Sequence, residues 1–243
     1  MRRILSILAL LTILYNGQSI AATAKPVPIT ATSWLVADGE GNTINSLNAE
    51  QQRSIASITK LMTAMVVLDA HQNLEERING ATRKELLQLM LIKSDNKAAD
   101  SLCEHYPNGR SSCITAMNIK AKTLGLKLTR YADPSGLNIM NVSTAHELVQ
   151  IVLESSKYPE IVTASNMPHG KIKKKKRYFS FNNTNPLVAS KDFIVSKTGY
   201  IRASGGCIVM MLDTAMGRRI VVLLNSKNTR TRIPEATRLA SIS

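Results

Sequence analysis

The stretch from Ser54 to Leu68 constrains this chain more than any other. After Lys60 it carries no charge until Asp69, and apolar residues fall on every side of a helical wheel. Such a helix is buried all round, so the rest of the chain has to build a core about it. A lysine almost never sits unpaired in that setting. Ser57 precedes Lys60 by three residues, which sets both side chains on one face, one turn apart. Burial disfavours the ammonium form and lowers the lysine pKa, so a hydroxyl beside that amine is a nucleophile with a base in reach. If Ser57 begins the helix, free N–H groups and aligned peptide dipoles also favour negative charge there. Taken alone, the pattern favours a plainer reading, an N-cap serine followed by a lysine that reaches out to solvent.

The first 24 residues read as an export signal: Arg2 and Arg3, the apolar run Ile4 to Leu14, then Ala22-Thr23-Ala24 as a small-residue cleavage site. That run is too short to span a bilayer as a helix, so an exported, periplasmic protein is expected rather than an anchored one. Residues 25–243 suffice for one domain, with a sheet region over about 30–56 and 180–243 and a helical region over about 57–165. The formal net charge of +14 points to an acidic partner. Export, and a composition with three Phe and one Trp, argue against nucleic acid. Cys103 and Cys113 flank the turn Tyr106-Pro107-Asn108-Gly109 and are the natural disulfide pair, while Cys207 sits in an apolar run and reads as an inert thiol. The histidines His71, His105, His146 and His169 are scattered, so neither a metal nor another cofactor is expected.

Apolar, β-prone runs over 31–38 and 43–47, around Gly39-Glu40-Gly41-Asn42, predict a hairpin. Thr82-Arg83-Lys84-Glu85 is a capping-box pattern that opens a second largely buried helix. This helix runs into Ser94-Asp95-Asn96, residues that compete with helical backbone bonding and predict a tight connection at a helix end. Further helices are expected over 97–105, from a cap at Ser111 or Ser112 to Leu124, and from a second capping box, Thr144 to Glu147. Asp133-Pro134-Ser135-Gly136 marks a turn. His169 to Arg177 holds six cationic residues in nine positions. It reads as a solvated basic hairpin or loop, or more sharply as a peripheral contact for anionic wall or membrane material. Strands are expected over 193–198, 206–212 and 219–224, and a closing helix over 232–242. Strands at both ends with helices between predict an α+β fold: an antiparallel sheet covered by helices, a helical subdomain inserted in it, and the site where the two regions meet.

Lys197-Thr198-Gly199 ends the first of those late strands, just ahead of Tyr200. Ser57-Ile58-Thr59-Lys60, Ser94-Asp95-Asn96 and Lys197-Thr198-Gly199 thus occur in order, in helix, loop and strand contexts, behind an export signal. Together they make the motif set shared by penicillin-binding proteins and class A β-lactamases. From about Trp34 to Leu239 the chain resembles the low-molecular-mass penicillin-binding proteins, the serine D-alanyl-D-alanine peptidases, and most of all their endopeptidase group. The likeness includes His105-Tyr106-Pro107, Asn141-Val142-Ser143-Thr144 and Asn183-Thr184-Asn185. It implies a β-lactamase/DD-peptidase-like fold with a five-stranded antiparallel sheet flanked by helices. It also implies hydrolysis of D-Ala-diaminopimelate cross-links between peptidoglycan stem peptides, with β-lactam antibiotics as acylating inhibitors.

On that resemblance Ser57 attacks the carbonyl after D-alanine and Lys60 accepts its proton. Ser94 relays a proton to the leaving amine, and Asn96 hydrogen-bonds the substrate amide. Lys197 and the Thr198 hydroxyl meet a substrate carboxylate, and Gly199 lets the substrate backbone approach. The N–H groups of Ser57 and Tyr200 make an oxyanion hole. Three departures stand out: only Leu74 to Ala81 separates the two buried helices, the run Lys171 to Lys176 is unusually basic, and the chain ends in one short helix with no added domain or anchor. The last favours a soluble periplasmic endopeptidase. A D-alanyl-D-alanine carboxypeptidase carries the same three motifs and is the nearest alternative. A non-catalytic basic wall-binding protein is the alternative of another class. A β-lactamase needs a Glu base after the Ser-Asp-Asn motif, whereas Glu75-Glu76-Arg77-Ile78-Asn79 lies before it.

Overall fold

The computed structural model describes residues 27–174, 177–190 and 193–242; the expected leader, and Lys175 and Lys176 of the basic run, lie outside them. The alternating runs at the start form the hairpin β1 (Ser33–Asp38) and β2 (Thr43–Leu47). A short strand β3 (Arg53–Ser54) and a 3-10 turn (Ala56–Ile58) lead into α1 (Thr59–Asp69), buried on every side from Thr59 to Val67. The brief interval before the next helix is itself a small hairpin, β4 (Arg77–Ile78) and β5 (Ala81–Thr82). Helix α2 (Arg83–Ile92) opens on the complete Thr82–Glu85 capping box, which satisfies two amides that a helix start leaves bare.

Beyond it α3 (Asn96–Glu104) and α4 (Gly109–Thr123) are joined by the Cys103–Cys113 disulfide, with Cα atoms 5.4 Å apart. The turn at Asn108, φ +64°, starts α4 earlier than a cap at Ser111 or Ser112 would. A short strand β6 (Val142–Ser143), then α5 (Ala145–Ser155) and α6 (Pro159–Asn166), complete the helical region. At α5 the expected capping box is half formed. Thr144 Oγ1 accepts from Glu147 N at 3.0 Å, but the Glu147 carboxylate turns away to Leu128 N and Thr129 Oγ1. The ribbon β7 (His169–Lys174) and β8 (Arg177–Asn182) precedes the strands β9 (Phe193–Ile201), β10 (Gly205–Thr214) and β11 (Gly217–Ser226), and α7 (Arg232–Ala240) closes the chain.

The main sheet is five-stranded and antiparallel in the order β2-β1-β11-β10-β9, as the resemblance implied. Alternate residues of β10 and β11 enter two cores. Cys207, Val209, Met211, Val222 and Leu224 join the cluster of α1, α2 and α5, while Ile208, Met210, Val221 and Leu223 meet Ala236 and Leu239 of α7. A sheet covered on both faces explains why these strands read as unbroken apolar runs. Strand β9 is left as an edge, beside the 3-10 turn that carries Ser57. Among the described residues no helix is long and apolar enough to cross a membrane.

Candidate active site

Ser57 lies inside the 3-10 turn, not at a helix cap: the residue before α1 is Ile58, with helical dihedrals and no side-chain cap bond. The plainer reading of this serine therefore fails. Its turn is held in an uncommon shape, with Ala56 at φ +46°, by the loop it packs on. Asn141, fully buried, ties the two together: its Oδ1 accepts from Ala132 N and Asp133 N, its Nδ2 donates to Thr59 Oγ1 and Asp133 O, and its backbone carbonyl accepts from Ile55 N. The Asp133 carboxylate in turn accepts from Ser135 N, Ser135 Oγ, Gly136 N and Asn138 N. Gly136 sits at φ +84°, and a Cβ there would collide with the Ala56 carbonyl, so only glycine lets this loop close on the serine turn.

The Lys60 amine is sealed in by this packing, at 0% exposure. Its Nζ lies 2.8 Å from Ser57 Oγ, 2.8 Å from Asn96 Oδ1 and 2.5 Å from Ser135 O. Burial pulls its pKa from 10.5 to about 8, against the opposing pull of Asp133, Asp100 and Asp95. Two of the three partners are carbonyl oxygens that can only accept. A neutral amine keeps its two N–H bonds on them and turns its lone pair to the serine hydroxyl.

The Ser94 turn behaves as predicted. Ser94 takes φ +62°, and Asp95 caps α3 by accepting from Ala98 N at 2.9 Å. This aims Ser94 at β9, where its Oγ accepts from Lys197 Nζ at 2.9 Å. Lys197, buried to 1% exposure, also donates to Thr198 O, and burial, with Lys60 and Arg232 nearby, holds its pKa well below the ordinary lysine value. Thr198 Oγ1 donates to Thr184 Oγ1 at 2.6 Å. A Cβ on Gly199 would stand 3.0 Å from both Ile55 O and Ser57 N, so β9 runs hard against the serine turn.

A cleft of about 220 Å³ is lined by Ser57, Ser94, Asn96, Thr198, Gly199, Tyr200, Leu137 and Arg232. Every predicted site residue thus meets there or, for Lys60 and Lys197, lies in direct contact with a residue that lines it. The sequence reading missed Arg232, whose Nη1 donates to Gly199 O at 2.7 Å, together with Ser135, Thr184 and Asp133. Of these Asp133 and Ser135 lie in the Asp-Pro-Ser-Gly turn and Thr184 in the Asn183-Thr184-Asn185 segment of the likeness, whereas Arg232 carried no local signal. No Asp or Glu lines the cleft among the described residues. A nucleophile, a lowered-pKa amine, a second buried lysine and a guanidinium make a site built for acyl transfer on an anionic substrate.

A family model described as D-alanyl-D-alanine carboxypeptidase, Peptidase_S11, matches residues 20–79 and 74–228. A D-alanyl-D-alanine endopeptidase of Pseudomonas aeruginosa is 34% identical, the match covering 98% of this chain and 87% of that protein. One of Escherichia coli is 35% identical over 90% of this chain and 79% of its own length. The crystal structure of the Streptomyces K15 DD-transpeptidase superposes with a TM-score of 0.81 at 26% identity, covering 89% of this chain and 97% of that one.

Proposed function

This chain belongs to the D-alanyl-D-alanine carboxypeptidase family of serine DD-peptidases, and on that premise we propose that it is an exported, periplasmic endopeptidase that opens D-Ala cross-links between peptidoglycan stem peptides. The observation that carries the reading is the 2.8 Å contact of the buried Lys60 amine with Ser57 Oγ. The neutral amine takes the hydroxyl proton as Ser57 Oγ bonds to the carbonyl carbon after D-alanine. Charge on the carbonyl oxygen falls to the N–H groups of Ser57 and Tyr200, a type of stabilisation worth roughly 3 to 4 kcal/mol per donor. As the peptide C–N bond breaks, the Lys60 proton passes to the leaving amine, with Ser94 as relay, and water then releases the acyl group by the same path reversed.

Strand β9 is an edge, so an extended stem peptide can pair along it with its amide on Asn96, whose Oδ1 already accepts from Lys60 and whose Nδ2 is left for the ligand. Lys197, Thr198 and Arg232 supply the donors and positive potential for a substrate carboxylate. β-Lactams would acylate Ser57 in place of the peptide. Names of the two relatives favour the cross-link over the terminal D-alanine. Digestion of purified peptidoglycan tests the choice: loss of cross-linked dimers supports the endopeptidase, and release of free D-alanine with dimers intact rejects it for the carboxypeptidase.

A further inference from the structure

The ribbon β7–β8 rises from the wall of the cleft. At its base Thr184 N donates to Ile92 O at 3.1 Å and Thr184 Oγ1 accepts from Thr198 Oγ1, so two residues after β8 ends the chain is already at the floor of the site. On the other side Lys93 directly precedes Ser94. Ile172 and Phe181 pin the inner face of the ribbon in the core beside α2. The Glu85 carboxylate adds a bond from Lys173 N at 3.0 Å. The ribbon is therefore a fixed extension of the active-site wall. At about 3.4 Å per residue it carries Tyr178 roughly 20 Å from Thr184.

Its outward face is cationic and aromatic. In the register Lys171↔Ser180 and Lys173↔Tyr178 the exposed lysines share one face with an exposed tyrosine, while the exposed Arg177, at the far end of the ribbon, alternates onto the face of Ile172 and Phe179. Lys171 Nζ lies 4.1 Å from the Tyr178 ring centroid and Lys93 Nζ 4.7 Å from that of Phe179, so the rings hold the ammonium groups in place along the ribbon. Neither strand contains an Asp or Glu. Some cations elsewhere are paired: Lys120 with Asp69, Arg110 with Asp100, Arg218 with Asp213, Lys157 with Glu154. Among the described residues Lys93, Lys171, Lys173 and Arg177 form no ion pair, and the one carboxylate at hand, Glu85, is spent on the backbone amides of Lys173 and Thr82. A fixed row of like charges that outnumbers its one neighbouring carboxylate, Glu85, is complementary to an anionic polymer.

We propose that the exposed cations of β7–β8, Lys171 and Lys173 on its outward face and Arg177 at its far end, form an exosite for the free carboxylates of peptidoglycan stem peptides, which seats the strand carrying a cross-link while Ser57 acts on the cross-link itself. This rests on the proposed endopeptidase reading, since a terminal D-alanine has no need of a contact so far from the serine. Several carboxylates along one wall strand match several ammonium groups along one ribbon, and salt-screened contacts of this kind act on encounter and affinity rather than on chemistry.

The test uses full-length mature protein bearing Ser57→Ala, so that binding is read without turnover, with and without Lys171→Gln, Lys173→Gln and Arg177→Gln together. Co-sedimentation with purified peptidoglycan at low salt should weaken at least about fivefold in the triple variant, and the difference should vanish near 0.5 M salt. Peptidoglycan whose carboxylates are capped as amides should bind both proteins alike. In the Ser57 background the triple variant should raise KM on intact wall without lowering kcat, and its acylation by a penicillin, which does not reach the ribbon, serves as the folding check. Binding unchanged within twofold, or loss of binding only to phosphatidylglycerol vesicles, overturns the proposal. Failure of the endopeptidase reading shows separately, as wild-type protein that leaves cross-linked dimers intact.

Discussion

Lys60 Nζ stands 2.8 Å from Ser57 Oγ in a pocket that excludes water from the amine, and the same burial lowers the pKa of that amine to about 8. Only the neutral amine can take the serine proton. Acylation by a penicillin should therefore rise about tenfold per pH unit below pH 8 and level off above it. Stopped-flow acylation rates across pH 6 to about 10 check the sign, and a rate that is flat or falls with pH contradicts it. Lys60→Met should lower the plateau by about 10² to 10⁴ while the protein stays folded.

Gly136 and Gly80 separate steric fit from backbone strain. Both have left-handed φ, +84° and +90°, but a Cβ at Gly136 meets the Ala56 carbonyl whereas nothing lies within 4 Å of one at Gly80. Gly80→Ala should cost about 1 kcal/mol, and Gly136→Ala about 3 kcal/mol or more with loss of acylation. Thermal melts and penicillin labelling of both variants read this directly; equal melts would show that the loop does not clamp the serine turn.

Much of this site is legible in the chain because its three motifs are local. Ser57 and Lys60 share a turn of backbone, Ser94 to Asn96 are consecutive, and Lys197 to Gly199 end one apolar strand. The helix start was displaced because the Asp133 to Gly136 loop forces Ala56 to positive φ, a contact between segments about eighty residues apart that no local pattern records. Arg232 reads as the first residue of a terminal helix, and only the fold brings its guanidinium to Gly199 O. Helix α6 carries a start signal in Pro159 at its first turn but no local pattern beyond it, because it is short and its core contacts come from strand β9 and helix α2, both distant in the chain. The half-formed box at Thr144 shows tertiary demand winning over a local cap, since Glu147 stabilises the 128–129 segment instead.

Lys197 and Arg232 are expected to act on the carboxylate end of the substrate. Arg232→Gln should raise KM for a peptide with a free C-terminal carboxylate by about tenfold or more, and change KM for the matching amide far less. Steady-state kinetics on the two peptides decide it. Equal losses on both would make Arg232 a support for Gly199 and nothing else.

The disulfide joins the helix that carries Asn96 to its neighbour, outside the cleft. Closing so short a loop contributes about 2 to 3 kcal/mol, so Cys103→Ser with Cys113→Ser should lower Tm by roughly 5 to 10 °C. Acylation at 25 °C should stay within about twofold, because the Asp95 cap and the Lys60 contact hold the start of α3 without it. A large loss of acylation in a folded double variant contradicts that division.

Every role assigned in the cleft depends on Ser57 being the acylated residue. Intact-protein mass spectrometry after exposure to a penicillin, followed by peptide mapping, measures it most directly. We predict one covalent adduct, on Ser57, slow to hydrolyse because no carboxylate lines the cleft among the described residues, and absent from Ser57→Ala. A folded wild-type protein that takes up no adduct, or an adduct that persists in Ser57→Ala, contradicts it.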